Sequence, residues 1–142
     1  MIRLVIEDIL SKGYTIDGEM DDNWITLIHE SHTPILIQEQ NELIFLLSKY
    51  RLNERVKKDE IRLQRMLNKL NLKSVFAKFS LNFDPEQGPN AIIITTTWFD
   101  IYSKELFNNF LRIWQYENRE MLFDVDGIED FLLLTRKSKI VA

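Results

Sequence analysis

The amino-acid sequence predicts an α+β domain in which helices pack on an antiparallel sheet. Apolar residues recur at helical spacing, then alternate, and the pattern switches back and forth along the 142 residues. The predicted strands come in runs joined by short turns, without the strict strand–helix alternation of a parallel sheet. The predicted order is one helix, three or four strands, a second helix, a two-stranded hairpin and a third helix.

The first helix is predicted from one apolar stripe near the amino terminus. Its members fall at i, i+3, i+4, i+7 and i+8 and are Ile2, Val5, Ile6, Ile9 and Leu10. Gly13 lies where a carboxy-terminal cap would end this helix, because glycine adopts the left-handed conformation without steric penalty.

Three strands are predicted next, over residues 24–29, 35–38 and 43–50, each preceded by turn-forming residues. Their short connections predict an antiparallel meander. Residues 43–47 are apolar without alternation. Such a run is typical of a central strand that is covered on both faces.

A return to helical spacing predicts the second helix over residues 56–70, with Asn71 as its end. Its apolar stripe consists of Leu63, Met66, Leu67 and Leu70. Residues 75–83 then alternate, and residues 91–99 are rich in β-branched and aromatic side chains, so these two segments are predicted to form a hairpin.

Ser103 is the predicted cap of the third helix. The apolar stripe of that helix comprises Phe107, Phe110, Leu111, Trp114, Met121 and Leu122. Because no linker or repeat divides the chain, residues 1–123 are predicted to form a single domain. Residues 124–142 are predicted to be an extension, packed on the domain or partly mobile, in which residues 128–134 form a docking helix or an added strand.

The composition excludes several classes of function. The chain is 45% hydrophobic and 28% charged, which is typical of a globular protein, and it contains no cysteine. Disulfides, thiolate nucleophiles and cysteine-based metal sites are therefore excluded. Acidic residues interrupt the amino terminus where a signal peptide needs an apolar stretch, and no run has membrane-spanning length. These features predict a cytoplasmic protein without membrane contact.

The positive charge is concentrated in one segment. Residues 51–73 carry eight basic and three acidic side chains, whereas the whole chain has a formal net charge of −4. Candidate contacts to an anion or an acidic partner in this segment are Arg55, Lys58, Arg62, Arg65 and Lys69. A solvated outer helix face explains the same pattern and is the favoured interpretation. Because phosphate contacts dominate nucleic-acid affinity, an acidic chain is a poor default nucleic-acid binder.

No catalytic, cofactor-binding or metal-binding residue is predicted. His29 and His32 are three residues apart on a strand and turn, whereas the zinc-protease motif needs a spacing of four on a helix. The acidic turns near Asp17 and Asp126 lack the glycine and glutamate positions of a calcium loop. With only four glycines, the chain contains no glycine-rich phosphate-binding motif.

Aromatic and apolar side chains near the end of the chain are the candidate partner contacts. They are Trp98, Phe99, Phe107, Phe110, Trp114, Phe131 and Leu134. Core packing is the favoured role of Trp98, Phe99 and Trp114, and any of these three that is exposed would be a partner anchor. A homodimer interface is predicted on the helix over residues 107–122 or on residues 128–134.

The spacing of elements in the second half of the chain resembles the YbjN-type domain. The segments that carry this resemblance are residues 60–71, residues 76–81, residues 91–97 after a turn, and the helix that reaches Leu122. The short first helix, the Gly13–Tyr14 junction and the meander through Leu47 extend it over residues 1–123. That family is similar in fold to the type III secretion chaperones.

The resemblance implies a non-enzymatic, chaperone-like or regulatory protein, commonly dimeric, that holds a client segment across apolar patches. Three alternatives stay open. An immunity or antitoxin type of inhibitor would bind one target through an acidic patch such as residues 17–22. A nucleic-acid binder would use the basic helix. An enzyme or small-molecule carrier would need a deep pocket lined by carboxylates with perturbed pKa values.

Overall fold

The computed structural model describes residues 1–19, 23–99 and 101–133. In chain order, its first elements are α1 (Ile2–Leu10), β1 (Thr15–Glu19), β2 (Ile25–Ile28), β3 (Ile35–Gln40), β4 (Leu43–Arg51) and α2 (Val56–Lys73). They are followed by β5 (Lys78–Asp84), β6 (Gly88–Trp98), α3 (Lys104–Tyr116), a π-helical turn (Glu117–Met121) and a 3₁₀ turn (Ile128–Phe131). The α+β class and the predicted element order are confirmed.

The strands form one six-stranded antiparallel sheet in the order β1-β2-β3-β4-β6-β5. Strand β4 is central and pairs with β3 on one side and β6 on the other. Strand β1 is the optional fourth strand of the meander. It contains Asp17, which the sequence pattern had placed in a solvated turn.

One face of the sheet carries the hydrophobic core. Paired residues of neighbouring strands share a face, and the pairs Ile37–Leu46 and Ile44–Trp98 lie in the core. The buried residues of all three helices join the same core cluster, including Val5 of α1. The helices of the described chain therefore pack on this one face.

The helix ends follow local chemistry. Gly13 has a φ of +96°, and a Cβ atom there would lie 3.0 Å from Nε2 of His29, so the turn after α1 excludes a larger residue. The Ser103 side chain accepts a hydrogen bond from the N–H of Leu106 at the start of α3. Asn71 is not the end of α2, which continues to Lys73, because the N–H of Ser74 still bonds to the carbonyl of Leu70.

The described part of the extension packs into the domain core. Ile128 and Phe131 are buried, and Leu132 forms a β-bridge with Leu52. The Asn53 side chain donates hydrogen bonds to the carbonyls of Asp130 and Leu132. The sequence predicted either a docking helix or an added strand over residues 128–134. In the structure, residues 128–131 form a 3₁₀ turn. Leu134, a predicted partner contact, lies outside the described residues.

Candidate functional site

Most of the predicted aromatic contacts fill the core. Phe107 and Trp114 are fully buried, and Trp98, Phe110 and Phe131 are buried as well. The Trp98 and Phe107 rings meet edge to face with centroids 5.5 Å apart. The apolar stripe of α3 is thus occupied by the chain's own sheet, and in this structure it is not a surface that a partner can touch.

Phe99 is the exposed member of the predicted aromatic set. Its side chain is 78% exposed, and it lies just after β6. Two further apolar side chains of this junction, Ile101 and Leu106, are 85% and 55% exposed. The sequence predicted that whichever of Trp98, Phe99 and Trp114 is exposed would be a partner anchor. Phe99 is the exposed one, and Ile101 and Leu106 are close to it in sequence.

Two of the five predicted basic contacts are engaged within the chain. Arg62 lies 3.2 Å from a carboxylate oxygen of Asp130, and its guanidinium group stands 4.8 Å above the Phe131 ring. Arg55 approaches the other carboxylate oxygen of Asp130 at 3.8 Å. These arginines attach the 3₁₀ turn to α2, so their charges are partly neutralised.

The other three predicted basic contacts remain on the surface. Lys58, Arg65 and Lys69 are exposed and have no acidic partner among the described residues. They lie on the outer face of α2, as the interpretation of a solvated helix face expected. The rival acidic patch at residues 17–22 falls partly outside the described chain, since residues 17–19 belong to β1 and residues 20–22 are not described.

The histidine pair belongs to a small aromatic cluster with Tyr14. The rings of His29 and His32 lie 4.5 Å apart, and that of Tyr14 is 4.8 Å from His29. The N–H of Ser31 donates to Nδ1 of His29, and Nε2 lies 3.1 Å from the carbonyl of Lys12. Both contacts fit a neutral His29 with its proton on Nε2.

Ionisation of this cluster is shifted by burial. Partial burial, together with the neighbouring His29 and Arg119, holds the pKa of His32 below its usual value of 6.5. Burial raises the pKa of Tyr14 to about 12, although a hydrogen bond from Gln115 opposes the shift. Among the described residues, no three His, Asp or Glu side chains converge closely enough to hold a metal ion.

The two buried carboxylates are fully occupied by neighbouring groups. Asp8 pairs with Lys12 at 2.8 Å and accepts a hydrogen bond from the Tyr102 hydroxyl at 3.2 Å. Glu117 accepts hydrogen bonds from the backbone N–H groups of three consecutive residues, 75–77. Neither acid is therefore available to a substrate in this structure.

Glu117 also explains why β5 begins later than predicted. The N–H groups of residues 75–77 point to this carboxylate instead of a neighbouring strand, and β5 starts only at Lys78. This contact could not be predicted from the sequence, because a glutamate after a long amphipathic helix is typical of a solvated position. The π-helical turn, which brings Glu117 and Asn118 into the interior together, has no sequence signature either.

A buried polar network lies beside the π-helical turn. The hydroxyl groups of Thr33 and Tyr50 are 2.7 Å apart, and the Asn118 side chain reaches Ser48 at 3.3 Å. Ser48 donates in turn to the carbonyl of Pro34. Burial raises the pKa of Tyr50, although the hydrogen bond with Thr33 opposes the shift. These side chains therefore find their hydrogen-bond partners within the chain.

A shallow groove runs between α2 and the edge strand β5. Its lining includes Gln64, Leu67, Asn68, Phe79 and Leu81, and it contains no carboxylate, lysine or histidine. The Asn71 side chain binds the backbone of β5 at Phe79. Its amide group donates a hydrogen bond to the Phe79 carbonyl at 2.8 Å and accepts one from the Phe79 N–H at 2.7 Å. The groove thus lacks groups for acid–base chemistry.

The second face of the sheet is the largest feature that the sequence did not predict. Leu36 pairs with Leu47, and Lys49 pairs with Ile93, across β3, β4 and β6. The apolar members of this face include Ile28, Leu36, Leu43, Phe45, Leu47 and Ile93, which are half-buried and do not belong to the core cluster, and Ala91, which is buried. We call this surface the open face.

The open face corrects one prediction. Residues 43–47 were expected to be covered on both sides, but only the side with Ile44 and Leu46 carries helices of the described chain. Around the apolar centre lie threonines, among them Thr26, Thr95 and Thr97, at paired positions of the same face. An apolar centre with a polar rim is the usual composition of a protein-binding surface.

The solved structures with a similar fold include one bacterial and one archaeal protein. YbjN from E. coli, provisionally named a transcription regulator, has a TM-score of 0.72 and 13% sequence identity, over 94% of this chain and 96% of that one. An uncharacterized protein from Methanothermobacter thermautotrophicus has a TM-score of 0.58 and 14% identity, over 90% of this chain and 96% of that one. No protein-family model and no curated relative matches the sequence.

At this level of identity the comparison concerns the fold. The chain has a YbjN-type fold, as the element spacing had suggested. In the described part of the chain, no helix combines the length and the apolar character that crossing a membrane requires.

Proposed function

We propose that this chain of YbjN-type fold is a non-enzymatic protein-binding module, chaperone-like or regulatory, that acts as a homodimer. The observation that carries the proposal is the open face. A sheet buries an apolar face against another layer in most stable architectures, and here the layer over Phe45 and Leu47 is missing from the described chain. A partner protein would supply it.

The arrangement of ionisable groups supports a role in binding. Asp8 and Glu117 have their oxygens engaged by neighbouring groups, and the groove beside β5 contains no acid or base. The surface, in contrast to these engaged acids, offers large apolar side chains to a partner. Phe99, for example, is 78% exposed. Exposed aromatic residues of this kind are frequent anchors in protein interfaces.

Affinity capture with matched variants tests the binding role. We expect the tagged wild-type chain to retain a partner that Phe45→Thr loses, because the substitution removes a large apolar side chain from the open face and keeps β propensity. Lys69→Glu on the outer face of α2 is the control and should retain the partner. Equal capture by wild type and Phe45→Thr, with both folded by circular dichroism, would contradict the proposal.

The homodimer is proposed to form at the junction of β6 and α3, where Phe99, Ile101 and Leu106 are exposed. Sedimentation equilibrium should give a mass of about twice the 17.0 kDa of the chain. The double change Phe99→Ser and Leu106→Ser should shift the mass towards the monomer, since it removes the apolar area that two copies would bury. A wild-type chain that stays monomeric at the highest soluble concentration rules the dimer out.

Nucleic-acid binding is the second candidate function. It is favoured by the exposed side chains of Lys58, Arg65 and Lys69 in α2, for which the described part of the chain provides no acidic partner. A gel-shift series at increasing salt tests it, because phosphate contacts make affinity fall steeply with ionic strength. Lys58→Glu with Arg65→Glu should abolish the shift. The absence of any shift at low salt with DNA and with RNA eliminates this function.

A further inference from the structure

The charges around the open face indicate which kind of partner fits it. Lys49 pairs with Ile93, Lys78 pairs with Thr95, and Arg51 pairs with Ala91, so all three cationic residues belong to this face. All are exposed and have no ion-pair partner among the described residues. The one acidic residue at the paired positions of this face in the described chain is Asp84 at the end of β5, and its carboxylate accepts hydrogen bonds from the N–H groups of Glu86 and Gln87 in the adjoining turn.

We propose that the open face binds an amphipathic helix of a partner protein, with an apolar stripe over Phe45 and Leu47 and acidic residues opposite Lys49 and Lys78. The inference rests on the proposed binding function and adds the chemistry of the partner. The acidic flank follows from charge complementarity, which contributes to specificity and to the rate of association.

A helix suits this face better than an extended segment. The inner strands β2, β3, β4 and β6 already use their backbone groups in pairing with neighbours. An extended segment laid on the face would find no backbone partner there, and its own N–H and C=O groups would be buried unsatisfied. A helix satisfies its backbone groups internally, as α1, α2 and α3 do on the opposite face.

The dimensions of the face agree with a helix of ordinary length. The five strands β2, β3, β4, β6 and β5, spaced by about 4.8 Å, give a width of about 19 Å. A helix of about 13 residues has the same length. The bound helix would form a second layer on the sheet, opposite α1, α2 and α3.

A second copy of the chain fits the open face less well. In an isologous interface the same surface lies on both sides, so Lys49, Arg51 and Lys78 would be duplicated, and the acidic residue of this face, Asp84, is already bound to the turn after β5. The homodimer contact proposed above lies elsewhere, at the β6–α3 junction. A homodimer and a helical client are therefore compatible on one chain.

Designed peptides test the chemistry of the partner directly. Three fluorescent peptides of about 18 residues, long enough for a helix of about 27 Å, serve as probes. One has leucines on one face and glutamates on its flanks, the second replaces each glutamate by lysine, and the third has the composition of the first without its amphipathic order. Binding to the full chain is measured by fluorescence anisotropy at low salt and at about 0.3 M salt, where the Debye length is only about 6 Å.

The acidic amphipathic peptide should bind at least about tenfold more tightly than either control, a difference of about 1.4 kcal/mol. Its affinity should fall with salt, and Lys49→Glu with Lys78→Glu should reverse the preference in favour of the lysine peptide. Phe45→Thr should abolish binding, and Ile93→Thr serves as a second apolar variant should the first not fold. Lys69→Glu should have no effect.

The outcomes separate this inference from the proposed function. The acidic helix is ruled out if the acidic and basic peptides bind equally well, or if the charge reversals at Lys49 and Lys78 leave the peptide preference unchanged. If Phe45→Thr still abolishes capture of a natural partner in that case, the proposed binding function stands without the acidic helix. If Phe45→Thr changes neither peptide binding nor partner capture, the proposed function fails together with the inference.

Discussion

At the scale of single residues, Glu117 shows how a buried charge can organise a loop. Its side chain is almost inaccessible, and its carboxylate accepts hydrogen bonds from three backbone N–H groups of the segment between α2 and β5. Charge-assisted hydrogen bonds are stronger than neutral ones. The three bonds replace the water that both the carboxylate and the amides lose on folding.

Replacing Glu117 by glutamine should destabilise the fold. The amide keeps one acceptor oxygen and directs an NH₂ group towards backbone donors, so at least one N–H of residues 75–77 loses its partner. We expect a loss of about 2–3 kcal/mol in the free energy of unfolding, measured by urea denaturation. Glu86→Gln, in an exposed turn, is the control and should change it by less than about 0.5 kcal/mol.

His32 should make stability depend on pH in the mildly acidic range. Its pKa in the folded chain is below the usual 6.5, so the unfolded chain binds the proton more readily. The free energy of unfolding should therefore fall as the pH drops through 6.5 towards the folded pKa, and should level off below it.

Thermal unfolding between pH 7.5 and pH 5 measures this dependence against His32→Gln, which cannot titrate. The variant should show a weaker loss of stability over the same interval, with the remainder due to other groups. Parallel curves for the two proteins would show that His32 has no share in the effect.

At the scale of elements, the edge of the sheet is protected by a side chain of the neighbouring helix. The Asn71 amide bonds to both backbone groups of Phe79, so it stands where an added strand would pair. Unprotected edge strands are a recognised route to association between sheets. Further along β5, the backbone groups of Leu81 and Phe83 face away from β6 in the same way. No side chain of the described residues binds them as Asn71 binds Phe79.

Asn71→Ala should therefore act on stability and on association together. The loss of two hydrogen bonds to a partly buried strand should lower the free energy of unfolding by about 1–2 kcal/mol. The exposed edge should also increase the apparent size measured by light scattering. Asn68→Ala, one turn earlier in α2, is the matched control. Unchanged stability in Asn71→Ala would show that the edge is held by the β5–β6 pairing alone.

The sequence predicted elements better than surfaces. Helical and alternating periods placed α1, α2, α3 and the β5–β6 hairpin, because each of these elements buries a single apolar stripe or face. The same logic failed at β4, where an apolar run predicted two covered faces. Periodicity shows which side chains are apolar, whereas only tertiary structure shows whether a layer of the same chain reaches them.

Which aromatic side chain is exposed was hard to predict for a related reason. Phe107 and Trp114 are large and aromatic, but so are the residues that fill a core, and the structure buries both. Phe99 differs only in following the last core position of β6. Its exposure depends on where the strand ends, and strand ends are the least certain part of a sequence pattern.

At the scale of the whole molecule, the described part of the extension acts as a piece of the core. Ile128 and Phe131 are buried against α2, and Arg62 stacks over the Phe131 ring. A chain ending at Phe123 should therefore lose about 3–6 kcal/mol of stability, the sum expected for burying two large apolar side chains.

Denaturant unfolding of chains ending at Phe123 and at Leu133 measures the effect. The longer variant retains both buried side chains and should be close to the full chain. If the shorter chain is equally stable, residues 1–123 form the domain by themselves, as the element spacing alone suggested.

The π-helical turn between α3 and the end of the chain accommodates one extra residue in this part of the molecule. Glu117–Met121 completes its turn with one residue more than an α-helical turn would use. The wide turn absorbs that residue, and Leu122 beyond it lies in the core. Deleting a residue from the regular part of α3 would instead rotate everything beyond it by about 100° and turn Leu122 away from the core, so a change in length is tolerated at the wide turn and not before it.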